Sequence, residues 1–174
     1  MALDQCFHLI FKLKKKKLLT KKTHVMSKTK EMAEKLNELL EKNYDSEKGF
    51  KNAAEDVKNP RLKTFFEQKA KQRYDFGHEL KTEIKNLGET PDKGSSFTGD
   101  AHRAWMDLKS AFTSDKEEAV LEEAIRGEKA AVEDYNKVIN NAELPPSTAN
   151  LLIKQRNAIE RTLNEVKGLE EAFD

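Results

Sequence analysis

A single cysteine, Cys6, leaves the chain unable to close an intramolecular disulfide or to build a cysteine cage for zinc or an iron–sulfur cluster. Seven glycines and four prolines in 174 residues are too few for an all-β sandwich, which needs a turn about every 8–12 residues. No run of about 18 apolar residues occurs, so no segment is read as a membrane-spanning helix. The four histidines, His8, His24, His78 and His102, form neither a His-x-x-x-His nor a His-Glu-x-x-His pair. Gly94 and Gly99 lack the spacing of a phosphate or dinucleotide loop, and no serine has a histidine and an acid in motif register. What is present is charge, at 36%, a mean hydropathy of −0.83, and 13 aromatics with enough Leu, Ile and Val to build a core. That composition describes a soluble, mostly helical protein of about one domain.

The net charge of +1 hides an asymmetry. Residues 1–25 carry seven lysines (Lys12, Lys14 to Lys17, Lys21 and Lys22) against Asp4, a net of +6, so the remainder carries −5. A secretory signal places its charge before its apolar stretch. Here Cys6-Phe7-His8-Leu9-Ile10-Phe11 precedes the lysines, so the order is reversed and a cytoplasmic location is expected. Three readings of the segment remain. Lys12–Lys22 could hold nucleic acid by neutralising phosphates, or rest on anionic lipid with Phe7 and Phe11 dipping in. The plain alternative is a disordered basic extension over residues 1–28, with Met1 or Met26 as the start and the folded domain over 29–174.

From Thr29 onward the apolar spacing is three and four, the period of an amphipathic helix. Met32, Leu36, Leu39, Leu40, Phe50, Ala53 and Val57 form the first stripe. Asn59-Pro60 ends it, with Asn59 suited to an N-cap and Pro60 to the first turn of a second helix. That helix carries Leu62, Phe66, Ala70, Phe76, Leu80 and Ile84, and Gly88 suits its C-terminal cap. Residues 88–114 are turn-rich, then hold Trp105, Met106, Leu108 and Phe112, which predict a short helix. Asp115 and Glu118 resemble a capping box for a third helix with Val120, Leu121, Tyr135 and Val138. Leu144-Pro145-Pro146 introduces a fourth, with Leu152, Ile159, Leu163 and Val166. An all-α four-helix bundle follows: two hairpins joined by one long crossover that contains a short helix, the ferritin-like arrangement. An offset of 85 residues places Leu36 on Leu121, Asn43 on Glu128 and Pro60 on Pro145, a hint of duplication.

Polar residues in phase with an apolar seam carry the information about a site. Asn43, Arg73, Glu128 and Gln155 fall in phase, one per helix and each near its middle, which predicts a single polar layer. A di-metal carboxylate bundle needs a Glu from each of two helices and a Glu-x-x-His from each of the other two. Only Glu128 meets that demand; Arg73 with Phe76, and Gln155 with Ala158, stand where the second pair of motifs belongs. No metal ligand set, cofactor or catalytic residue is assigned. The layer is read as an Arg73–Glu128 pair with Asn43 and Gln155 filling the remaining hydrogen bonds, which fixes helix register; the functional alternative is a small polar ligand pocket. Asp75-x-x-His78 has acid-x-x-His spacing but lies about 200° round the helix from Arg73 and Phe76, at roughly 100° per residue. The segment His102, Arg103, Trp105 and Met106 is a candidate interaction patch, because Trp, Met and Arg are enriched at interfaces; packing of Trp105 on the bundle is the simpler reading.

Over about residues 34–173 the chain resembles a bacterial family of uncharacterised four-helix-bundle proteins, distantly similar to rubrerythrin and ferritin. The resemblance rests on Asn43-Tyr44-Asp45, Gly49-Phe50, Arg73 with Phe76, the stretch from His102 to Lys109, and Arg126-Gly127-Glu128 with Tyr135. It implies a ferritin-like fold of unknown function. Gly127-Glu128 with Tyr135 resembles the third helix of rubrerythrin, where that Glu binds iron; the other ligand positions depart from the pattern. The expected protein is therefore a non-enzymatic bundle, stress-associated or otherwise structural, whose exposed faces are compatible with a homo-oligomer. The alternatives are a metal-handling oxidase or storage subunit and a nucleic-acid binder acting through the lysine segment.

Overall fold

A computed structural model describes residues 2–92, 116–141 and 143–172. Among those residues the regular structure is four helices: α1 (Ala2–Asp56), α2 (Pro60–Asn86), α3 (Lys116–Asn141) and α4 (Pro146–Glu170). The turn between α1 and α2 is built as the sequence suggests. The Asn59 side chain accepts the Arg61 N–H at 2.9 Å, and Pro60 occupies the first helical position, where its missing N–H costs nothing. Glu117 at the start of α3 adds a cap that the sequence does not announce. Its carboxylate accepts the N–H groups of Lys58 and Asn59 at 2.9 and 2.7 Å, tying the beginning of the second hairpin to the turn of the first. At the far end of α2, Gly88 takes φ +81°; its N–H bonds to the Lys85 carbonyl and the Glu89 N–H to that of Ile84, the paired bonds of a Schellman stop.

Cross-helix partners fix the topology. Lys28 with Glu143, Lys42 with Asp134 and Asn59 with Glu117 run α1 antiparallel to α3. Glu83 with Thr148, Glu79 with Lys154 and Lys69 with Glu165 run α2 antiparallel to α4. Since α1 and α2 are themselves an antiparallel hairpin, α2 and α3 are parallel. The Asp92 N–H bonds to Asn37 at 3.0 Å, whereas Glu117 sits at Asn59, so the two points joined by residues 93–115 lie at opposite ends of the bundle. That is the single long crossover. The short helix expected within it, and the Asp115 cap, lie outside the described residues.

The helix α1 begins well before Thr29. Its backbone continues unbroken from Ala2, where the sequence reading expects a disordered extension to residue 28. No glycine or proline occurs before Gly49, and residues 2–28 are rich in Lys and Leu, so nothing local stops the helix. At 1.5 Å per residue α1 is about 80 Å long, against about 40 Å for α2.

The apolar stripes meet in two clusters. One gathers Leu36, Leu39, Leu40, Leu80, Ile84, Tyr135, Leu152 and Ile159. The other gathers Phe50, Ala54, Leu62, Phe66, Ala70, Val120, Leu121 and Val166. Between them lies the polar layer.

Candidate functional site

Burying a charge is costly unless a partner and hydrogen bonds accompany it. Arg73 on α2 is 1% exposed and Glu128 on α3 is 2% exposed. One nitrogen, Arg73 Nη2, donates to both carboxylate oxygens of Glu128, at 2.6 and 2.5 Å. The guanidinium also lies over the Phe76 ring, 5.7 Å from its centre, one turn along α2. Burial pushes the Glu128 carboxyl above its ordinary range, and the Arg73 charge and hydrogen bonds, with Lys69 beyond, pull against that rise. The pair thus spans the bundle diagonally, from α2 to α3.

Asn43 and Gln155 are buried in the same layer, but they do not complete the pair as the sequence reading expects. They bond through Tyr135 instead. The Asn43 amide nitrogen donates to the Leu39 carbonyl at 2.8 Å and to the Tyr135 hydroxyl at 2.7 Å. That hydroxyl donates to Gln155 Oε1 at 2.7 Å, and Gln155 Nε2 donates to Glu79 at 2.8 Å and to the Phe76 carbonyl at 3.3 Å. Lys154 then pairs with Glu79 at the surface. The run Asn43–Tyr135–Gln155–Glu79 touches all four helices. Tyr135 reads in sequence as one more apolar seam residue; the signal that could have singled it out is that a buried tyrosine hydroxyl almost always needs a partner. Burial pushes its phenol up to about 12 from 10.0, although the Asn43 hydrogen bond and the Arg73 charge act downward.

Other residues sort themselves plainly. Asp75 pairs with Lys71 at 2.8 Å and His78 packs on Tyr74 with ring centres 4.3 Å apart, both on the exposed face of α2 and away from the layer. Glu47, buried at the edge of the layer, pairs with Lys51 one turn on. The candidate patch of His102, Arg103, Trp105 and Met106 lies outside the described residues.

A two-metal centre does not fit this arrangement. Hard to borderline cations need anionic oxygen and imidazole donors, and among the described residues no three His, Cys, Asp or Glu side chains converge. The seam positions of α2 present Arg73 and Phe76, and those of α4 present Gln155 and Ala158, all buried. An ion approaching Glu128 would meet a guanidinium already bonded to both of its oxygens.

The model of a domain of unknown function, DUF2383, matches residues 31–141. Comparison with curated proteins gives no match. Among solved structures, the chain resembles Dps from Mycobacterium smegmatis with 21% identity and a TM-score of 0.69, over 81% of each chain. A Dps1 point mutant of the same organism gives 19% and 0.69, over 83% of this chain and 97% of that one. An N-terminal deletion mutant of its Dps gives 19% and 0.67 over the same shares. The fold is thereby that of the ferritin-like four-helix bundle.

Proposed function

The chain belongs to the DUF2383 family of unknown function, and from that premise we propose that it is a non-enzymatic ferritin-like bundle, cytoplasmic and self-associating, that serves a structural or stress-associated role through its surface. The observation that carries this reading is the Arg73–Glu128 pair, with Nη2 within 2.6 Å of both oxygens. A divalent ion drawn to Glu128 must evict the guanidinium and leave it buried without its counterion, a penalty of about 3–5 kcal/mol when one member of such a pair is lost. The layer therefore does the mechanical work of setting helix register, and the exposed faces are left for recognition.

Loading the purified chain aerobically with iron(II), followed by elemental analysis, tests the reading. The expected outcome is iron below one equivalent per chain after desalting and oxidation no faster than in buffer. Stoichiometric iron with Arg73 displaced from Glu128 overturns it.

A second reading is favoured by the net +6 of residues 1–25 together with the unbroken course of α1. On that reading the lysine segment holds nucleic acid through its phosphates. Binding should then fall steeply with salt and vanish when residues 1–25 are deleted; a truncated chain that binds equally well eliminates it.

A further inference from the structure

Among the described residues, two buried atoms of the polar layer have no hydrogen-bond partner: Asn43 Oδ1 and Arg73 Nε. The orientation of the Asn43 amide is not open to exchange, because the Leu39 carbonyl can only accept and so must face the nitrogen. An unsatisfied buried donor or acceptor costs about 1–3 kcal/mol, and here one of each occurs on neighbouring residues. Both residues line the same small cavity between α1 and α3, with Ser46, Ala131, Asp134 and Tyr135 among its walls. It offers about 10 Å³ to the centre of a water molecule, close to the least that one water needs, roughly 10–15 Å³.

The occupant's chemistry follows from the two atoms. Arg73 Nε–H requires an acceptor, and Asn43 Oδ1 requires a donor. A halide or other unprotonated anion can serve only the first, and a metal cation only the second. A molecule that does both and fits this volume is water, for which Ser46 supplies a further polar neighbour.

We propose that this cavity is a binding site for one ordered water molecule that joins the Arg73–Glu128 pair to the Asn43–Tyr135–Gln155–Glu79 run. The site turns two separate hydrogen-bonded systems into a single network. Lys42 and Asp134, paired with each other, line both this cavity and an adjoining groove of about 230 Å³.

A high-resolution crystal structure of the full chain, grown with and without sodium bromide, tests the site directly. Expected is a density peak within about 2.7–3.2 Å of both Asn43 Oδ1 and Arg73 Nε, with no anomalous bromine signal there. Anomalous bromine at the peak, or density in which the two atoms bond to protein groups instead, overturns the proposal. In solution, the Arg73 Nε–H resonance should show a cross-peak to long-lived water. Asn43→Leu should abolish the cross-peak. A cross-peak unchanged in Asn43→Leu with Arg73 still paired refutes the site even if no crystal is obtained.

Discussion

A carboxylate can lose its charge by taking up a proton and a guanidinium cannot, and that difference makes the two halves of the Arg73–Glu128 pair unequal. Removing the carboxylate strands a guanidinium that is 1% exposed. Glu128→Met should therefore cost about 3–5 kcal/mol, the range for breaking a buried pair. Arg73→Met strands a carboxyl that can neutralise itself, so its cost should be smaller and dependent on pH. The sign follows from the raised carboxyl: Glu128 stability is fully present below its ordinary value of 4.5 and is lost as pH rises through the higher folded value. Arg73→Met, which removes the guanidinium that opposes the rise, should widen that window. Urea melts at acid and neutral pH check this; Arg73→Met should recover on acidification and Glu128→Met should not. The double variant, carrying two apolar side chains, should lie near or above the parent, because replacing a buried ion pair by apolar side chains of similar volume is often neutral or stabilising.

At the scale of the helices, two mid-helix glycines in different settings should respond differently to alanine. Gly127 is exposed on α3 and, among the described residues, nothing lies within 4 Å of where a Cβ would stand, so Gly127→Ala should stabilise the chain by about 0.5–1 kcal/mol. Gly77 lies on the buried face of α2, and its Cβ would fall 2.9 Å from the Tyr44 ring, over which the Lys81 ammonium also lies. Gly77→Ala should therefore show none of that gain in a thermal melt, because the ring must leave its place between the helices. The helices themselves are legible in the sequence because Leu36, Leu40, Leu62, Leu80 and Ile84 repeat at helical spacing and are all fully buried. Arg73 and Glu128 are legible for the same reason, being polar residues locked in phase with that stripe. The roles of Glu117 and Glu79 are not legible. Both sit on helix flanks, where facing a neighbour or facing water depends on how the helices cross and not on local spacing. The start of α1 is illegible for a different reason: apolar periodicity marks where a helix is buried, and a helix that continues past its bundle has no such mark.

Across the whole molecule the polar layer divides the core, and one hydroxyl links the parts that surround it. Tyr135 accepts from α1 through Asn43 and donates to α4 through Gln155, which in turn reaches α2 at Phe76 and Glu79. Tyr135→Phe keeps the ring's packing in the first cluster but leaves an amide N–H and an amide oxygen buried without that partner, so it should cost about 1–3 kcal/mol. The same residue sets an alkaline limit. A phenol held at about 12 in the folded state and 10.0 when exposed is neutral in both states below pH 10, so its contribution is intact there. Between pH 10 and 12 the unfolded chain ionises first, and stability should fall by about 3 kcal/mol at 1.36 kcal/mol per unit. Tyrosinate absorbance during an alkaline titration should show a step near 12, and that step should be missing from Tyr135→Phe. A late step that survives the substitution would place the buried phenol elsewhere and break the four-helix link at its centre.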